Sequence, residues 1–154
     1  MPTPYKQTDA RWKNEKLGFG SSTIGQAGCT ISCIGYLVNH LTGTNYNPSE
    51  INSILKSFKA FSGPLVIWSR VPLAFPELTW KYRDYNYNNA LVWSWINIWP
   101  RVPVLVENVL SGSVSGRHWR LFLGGGKCYN PLSGAVESTS VYKVLSGSAR
   151  YARR

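Results

Sequence analysis

The chain has 154 residues, of which 44% are hydrophobic and seven are tryptophan, and its 17 Lys and Arg against seven Asp and Glu give a net charge of +10. That length fits one domain with a real core, and the composition excludes a disordered chain. The charge predicts attraction to polyanions, but apart from Arg150, Arg153 and Arg154 the basic residues are scattered, which is the pattern of a solvated surface, so dedicated nucleic-acid binding is not expected.

Residues 2 to 22 read as an ordered, irregular arm, with Trp12 and Phe19 available as anchors and turn formers at Gly18, Gly20, Ser21 and Ser22. Thr23 to Leu41 reads as a glycine-rich approach leading into a helix, with Cys29 in its first turn. Ile31, Ile34, Leu37, Val38 and Leu41 lie three and four apart and form one apolar stripe. Cys29, Cys33, Tyr36 and His40 form a separate row, rotated by roughly 120° from that stripe. Thr42 to Asn47 is a loop. A second helix then starts with Asn47 as N-cap, Pro48 in the first turn and Glu50 closing a capping box, and its core side is Ile51, Ile54, Leu55 and Phe58.

Gly63-Pro64 ends that helix, and Leu65 to Trp68 fits helix or strand equally well. Leu78, Trp80 and Tyr82 alternate with polar residues, which predicts a half-buried strand. Asn88 to Trp99 predicts a third helix ended by Pro100. Strands follow over Val102 to Val109, His118 to Leu123 and Lys127 to Asn130, the last two joined by a hairpin turn at Gly124 to Gly126. Later strands are expected over Val136 to Val144 and Ser148 to Arg153. Helices first and strands after is the order of an α+β domain with a mainly antiparallel sheet.

Ala90 to Trp99 is the longest apolar-rich run, and it falls short of the roughly 20 residues that span a bilayer, so no membrane span is expected. Met1 to Lys6 lacks the apolar region of a signal peptide, and a soluble product not exported by its own signal is expected. Nothing in the sequence sets an oligomeric state. With three cysteines at least one thiol is unpaired, which suits a reducing compartment or a working thiol.

The chemistry centres on Cys29. Most helical cysteines pack as small hydrophobes, and Cys33 keeps that reading. Cys29 differs because Gly25 and Gly28 precede it, and because the unpaired N–H groups and positive dipole end of a helix N-terminus favour a thiolate. A nucleophilic thiol needs a base, and only two histidines exist. His40 lies 11 residues further along the same helix, about 16 Å away, too far for proton transfer. His118 remains, at the start of a strand after the loop Ser111 to Gly116. The Gly124 to Gly126 turn folds Asn130 back toward the His118 end, where it can orient the imidazole; on its own, Asn130 reads as a turn residue before proline.

These residues resemble a family. Gln7-Thr8-Asp9-Ala10-Arg11-Trp12, Leu17-Gly18, Thr23-Ile24-Gly25 and Gly28-Cys29, followed by His118-Trp119 and Tyr129-Asn130-Pro131, are similar to the papain-like C39-type cysteine peptidases. The resemblance implies a papain-like fold, Cys29 as nucleophile, His118 as general base then acid, and Asn130 as the orienting residue. It also implies a glutamine in the oxyanion hole with the Cys29 N–H: Gln7 stands in the matching segment, and Gln26, three residues before Cys29, is the alternative. Arg120 departs from the apolar strand that follows the family's histidine, which touches the substrate cleft, and Ala10 stands where proline is common. Small basic members resemble bacteriophage or bacterial wall-lytic enzymes, which implies a murein-peptide substrate, a possible acidic cell-wall polymer as partner, and a location in the cytoplasm or, after lysis, at the wall. No metal or cofactor is called for.

Three rival chemistries stand beside this one. Cys29, Cys33, His118 and Cys128 would supply a Cys3His zinc set, though with poor spacing. A binding module on the same fold needs no catalysis. Glycosidase chemistry would need a carboxylate pair, for which Glu107 is the residue to test.

Overall fold

A computed structural model describes residues 1–85, 102–109, 117–139 and 145–154. Helices come first: α1 (Ile24–Ala27), α2 (Cys29–Thr42), α3 (Pro48–Ser57) and a short α4 (Val71–Ala74), with a two-strand ribbon β1 (Phe61–Ser62) and β2 (Leu65–Val66) between α3 and α4. The strands β3 (Leu78–Asp84), β4 (Val104–Val109), β5 (Arg117–Gly124), β6 (Lys127–Asn130), β7 (Ala135–Ser138) and β8 (Leu145–Arg153) form one sheet in the order β3-β8-β4-β5-β6-β7. Every pairing in it is antiparallel. The architecture is therefore α+β. The stretches expected as a third helix (88–99) and as the loop before His118 (111–116), and the end of the strand expected over 136–144, lie outside the described residues. No helix among the described residues is long and apolar enough to cross a membrane.

Local chemistry explains the helix ends. Thr23 caps α1 and Asn47 caps α3, each in a reciprocal capping box, with Gln26 and Glu50 respectively. α2 ends at Gly43, whose φ of 72° is a left-handed stop that glycine adopts without steric cost. Asn39, buried near that end, accepts from Tyr46 N–H at 2.9 Å and donates to Tyr46 O at 3.0 Å, so the loop into α3 is tied down.

α2 is the centre of the molecule and is buried continuously from Ile31 to Asn39. It packs on α3 and on β5, so two faces of it are apolar rather than one. At Gly35 the approach to α3 is close: a Cβ there would meet Ile51 at 3.0 Å. On the sheet side Tyr36 stacks on Tyr129 with ring centroids 4.7 Å apart. The row Cys29, Cys33, Tyr36 is thus the sheet-facing side of the helix, and only its last member, His40, is exposed.

Tyr129 pairs with Leu121, so the side of β5 and β6 facing α2 carries Trp119, Leu121 and Tyr129. Alternation sends His118, Arg120, Phe122, Cys128 and Asn130 to the other side of the sheet. All of these are buried.

Three expected core positions differ. Phe19 is 55% exposed and Leu17 anchors the arm in its place, because Gly18, at φ 56°, turns the chain between them. Phe58 is 43% exposed: α3 stops at Ser57, Lys59 takes a positive φ of 54°, and Ala60 and Phe61 enter the core instead. In β3 a bulge between Trp80 and Tyr82 breaks the alternation. Tyr82 turns outward, and the Arg83 guanidinium reaches the buried Glu107 carboxylate at 3.4 Å.

Candidate active site

Cys29 is the first residue of α2, with Gly28 as its N-cap. Space requires that glycine, since a Cβ at position 28 would lie 2.4 Å from Ile24 O. Gly28 N–H closes α1 by donating to that same oxygen at 2.7 Å. The chain therefore ends one short helix and starts another with no linker, and Cys29 is held at the junction.

The Cys29 sulfur lies against the main chain of Trp119. The nearby Trp119 main chain pulls the titration of that thiol toward the thiolate, the sense expected of an N–H. That N–H belongs to the peptide unit joining His118 to Trp119, so the thiol lies beside the backbone of the candidate base, while the imidazole itself falls on the side of the sheet away from α2. One turn further in, Cys33 Sγ contacts Trp119 O at 3.6 Å. Of the three thiols, Cys29 alone retains exposure, 9%, whereas Cys33 and Cys128 have none.

His118 Nε2 and Asn130 Oδ1 are 2.8 Å apart and buried. The orientation of the Asn130 amide is fixed twice over: Oδ1 accepts from Leu132 N–H at 3.0 Å, and Nδ2 donates to the Glu137 carboxylate at 3.2 and 3.3 Å. An oxygen facing Nε2 requires the ring proton there. Neutral His118 therefore carries its lone pair on Nδ1, and Nδ1 is the basic nitrogen.

Gln7 joins the two halves of this site. Its N–H donates to Pro131 O at 2.9 Å, next to Asn130, and its Nε2 donates to Gly25 O at 3.2 Å, in the turn leading to Cys29. The side chain is buried, and among the described residues Oε1 has no hydrogen-bond partner. Gln26 is exposed, with Oε1 committed to Thr23 N–H at 3.0 Å in the α1 cap. Of the two glutamines, Gln7 is the one built into the site.

No hydrogen bond joins Cys29 to His118 among the described residues, and the titration of both groups departs from what a helix N-terminus alone predicts. Burial pushes the Cys29 thiol up, although hydrogen bonds from the Trp119 main chain, from Thr30 and from its own N–H pull the other way. Burial also brings His118 down to about 4; the Asn130 hydrogen bond and Glu137 oppose that fall and Arg120 adds to it. The expected thiolate is therefore not the resting form, because desolvation outweighs the dipole and the donors. The site rests as thiol and neutral imidazole. Burial likewise pushes Cys33 well up and Cys128 up to about 12.

His40 lies in the last turn of an unbroken α2, remote from Cys29. Glu107 is engaged by Arg83 at 3.4 Å and Arg117 at 3.5 Å, and is a structural ion-pair centre rather than one of a carboxylate pair. No group of three or more His, Cys, Asp or Glu side chains among the described residues is arranged to hold a metal ion. Glu137 carries no local sequence signal, because its place behind Asn130 depends on the β6–β7 register. No protein-family model, no curated protein and no solved structure matches the chain.

Proposed function

We propose that the protein is a cysteine peptidase of papain-like type, with Cys29 as nucleophile, His118 as base and acid, Asn130 as orienting residue and Gln7 as oxyanion donor. One observation carries the reading: the buried 2.8 Å contact between His118 Nε2 and Asn130 Oδ1, which leaves Nδ1 basic on the residue whose peptide touches the Cys29 sulfur. A thiol at a helix start, an imidazole with one defined basic nitrogen and an amide fixing that choice are the parts of a nucleophile–base–orienter set.

The reaction follows from those parts. As the sulfur attacks the substrate carbonyl carbon, the Cys29 proton passes to His118 Nδ1. The carbonyl π electrons move to oxygen, and the tetrahedral oxyanion is held by the Cys29 N–H and a Gln7 Nε2 hydrogen. His118 then gives its Nδ1 proton to the leaving amine as the C–N bond breaks, which leaves a thioester. Water, deprotonated by His118, attacks the thioester, and the sulfur leaves as the thiol with that proton. Starting from a neutral pair, the proton moves with the attack and not before it. The net charge of +10 favours a peptide carried on an acidic polymer, and murein peptide is the substrate class to assay first.

The second reading is a binding module without turnover, favoured by the raised thiol and lowered imidazole, which disfavour an ion pair. The two are separated by labelling with a thiol-directed electrophile at neutral pH, followed by mapping. Selective reaction at Cys29, prevented by prior incubation with a cleavable peptide, supports the peptidase. Equal labelling of no thiol or of all three supports the module.

A further inference from the structure

We propose that Glu137 is a positioning residue: by accepting from the Asn130 amide it locks that side chain with its oxygen toward His118, and so dictates which imidazole nitrogen is the base. The proposal rests on the peptidase reading for its consequence in catalysis, but not for its test.

The geometry makes the orientation of Asn130 the deciding variable. An asparagine amide can present oxygen or nitrogen to a histidine with little change of shape. With Oδ1 toward Nε2 the ring is the Nε2–H tautomer and Nδ1 is basic. With the amide reversed, Nδ2 would donate to Nε2, the ring proton would sit on Nδ1, and Nδ1 could no longer accept the thiol proton. Two contacts resist reversal: Leu132 N–H on Oδ1 at 3.0 Å and Glu137 on Nδ2 at 3.2 and 3.3 Å. The second is the one that only a side-chain acceptor can supply, and both carboxylate oxygens face Nδ2.

Glu137 has this reach because of strand register. Asn130 pairs with Ala135 and Cys128 with Glu137, so Glu137 stands diagonally across from Asn130, within reach of a long side chain. Among the described residues the other charged group that acts on His118 is Arg120 on β5, and by register Cys128 on β6 and Arg150 on β8 share its side of the sheet. On β4 the residue across from His118 is Asn108, which is uncharged.

The test reads the tautomer directly. The chain has two histidines, so ring-nitrogen NMR at pH 7, with His40→Gln for assignment, isolates the His118 signals. The wild type is expected as Nε2–H. Glu137→Leu removes the acceptor and is expected to give a mixture of tautomers, with kcat lowered by roughly tenfold and KM unchanged. Glu137→Gln offers a carbonyl oxygen in the same place and is expected to restore Nε2–H. A Glu137→Leu protein with the wild-type tautomer would overturn the proposal. If that variant does not fold, Glu137→Lys replaces it: its donor opposes Nδ2 and should drive the ring toward Nδ1–H, and a wild-type tautomer there is equally fatal. A tautomer that responds as expected in a protein with no turnover would sink the peptidase reading and leave the Glu137 assignment standing.

Discussion

The sulfur of Cys29 lies beside the main chain of Trp119, whose influence draws its titration down, and among the described residues it makes no hydrogen bond to the imidazole one residue earlier. Its position is therefore set by backbone, and removing the imidazole does not release it. His118→Ala is expected to cut turnover by roughly 10²- to 10⁴-fold, the range of a lost general base. The thiol should remain high in its titration, because burial and not an absent ion-pair partner holds it there. Peptide cleavage together with ultraviolet titration of the thiolate checks both halves. Unchanged turnover would remove His118 from the site.

The lowered imidazole makes a prediction about pH with a definite sign. His118 falls from 6.5 to about 4 in the folded protein, so the basic ring persists well below neutrality and the acid limb of kcat/KM should lie near 4. For stability, the unfolded chain binds the proton more tightly than the folded one. This contribution is fully present above 6.5 and is lost as pH falls from there to about 4, by about 3 kcal/mol at about 1.4 kcal/mol per tenfold. Denaturant midpoints at pH 7 and pH 4 for wild type and His118→Gln measure it. Identical pH dependence in the two proteins would show that another group is responsible.

Much of this site was legible because its signals are local. Glycines before a cysteine, a capping box at Asn47 and Glu50, and three glycines between two apolar runs each act within a few residues. The Gly124 to Gly126 turn, with all three φ values positive, alone returns Asn130 to His118. What escaped depends on register or on packing from a distance. Glu137 reaches Asn130 only through the β6–β7 pairing. The outward turn of Tyr82 follows from a bulge that no single residue announces. Cys33 and Tyr36 lie off the main apolar stripe, yet they are buried because the sheet covers that face of α2. The raised Cys29 thiol escapes for the same reason: a helix terminus is visible in sequence, but the depth at which it is buried is not.

Glu107 separates structure from chemistry. It is buried between Arg83 and Arg117, and Arg83 also lies over the Trp119 ring at 4.8 Å. Glu107→Gln is expected to destabilise the fold by about 3 kcal/mol, the cost of breaking a buried charge pair from one side. Turnover per folded molecule should hold. Urea melts and cleavage at a temperature where the variant is folded test this, and a stable but inactive variant would place the carboxylate in the chemistry.

Gly28 offers a structural control on the nucleophile. A methyl group at this position meets Ile24 O at 2.4 Å, closer than any backbone tolerates, so the α1–α2 junction must open. Gly28→Ala is expected to cost about 1–3 kcal/mol and to lower electrophile labelling of Cys29 severalfold by shifting the thiol. Gly43→Ala, with open space around its Cβ but a φ of 72°, should cost stability without touching labelling. Equal labelling in the two variants would show that the junction does not position the thiol.

Cys29→Ala is the variant on which the peptidase reading stands. No second thiol can replace it, since Cys33 and Cys128 are wholly buried and burial holds both far from the thiolate. Turnover should therefore fall to background, with labelling lost. The fold should persist at a cost of about 1 kcal/mol, because only one sulfur is removed and the substitution leaves the backbone of α2 unchanged. Asn130→Ala should behave differently. It withdraws the acceptor of Leu132 N–H as well as the partner of His118, so it is expected to lose about 1–3 kcal/mol of stability while keeping more turnover than Cys29→Ala, the thiol and base both being present. Cleavage of one soluble peptide by the two variants, with circular dichroism on each, orders them. A folded Cys29→Ala protein that still cleaves would end the assignment, and an Asn130→Ala protein as active as wild type would show that the 2.8 Å contact orients nothing the reaction needs.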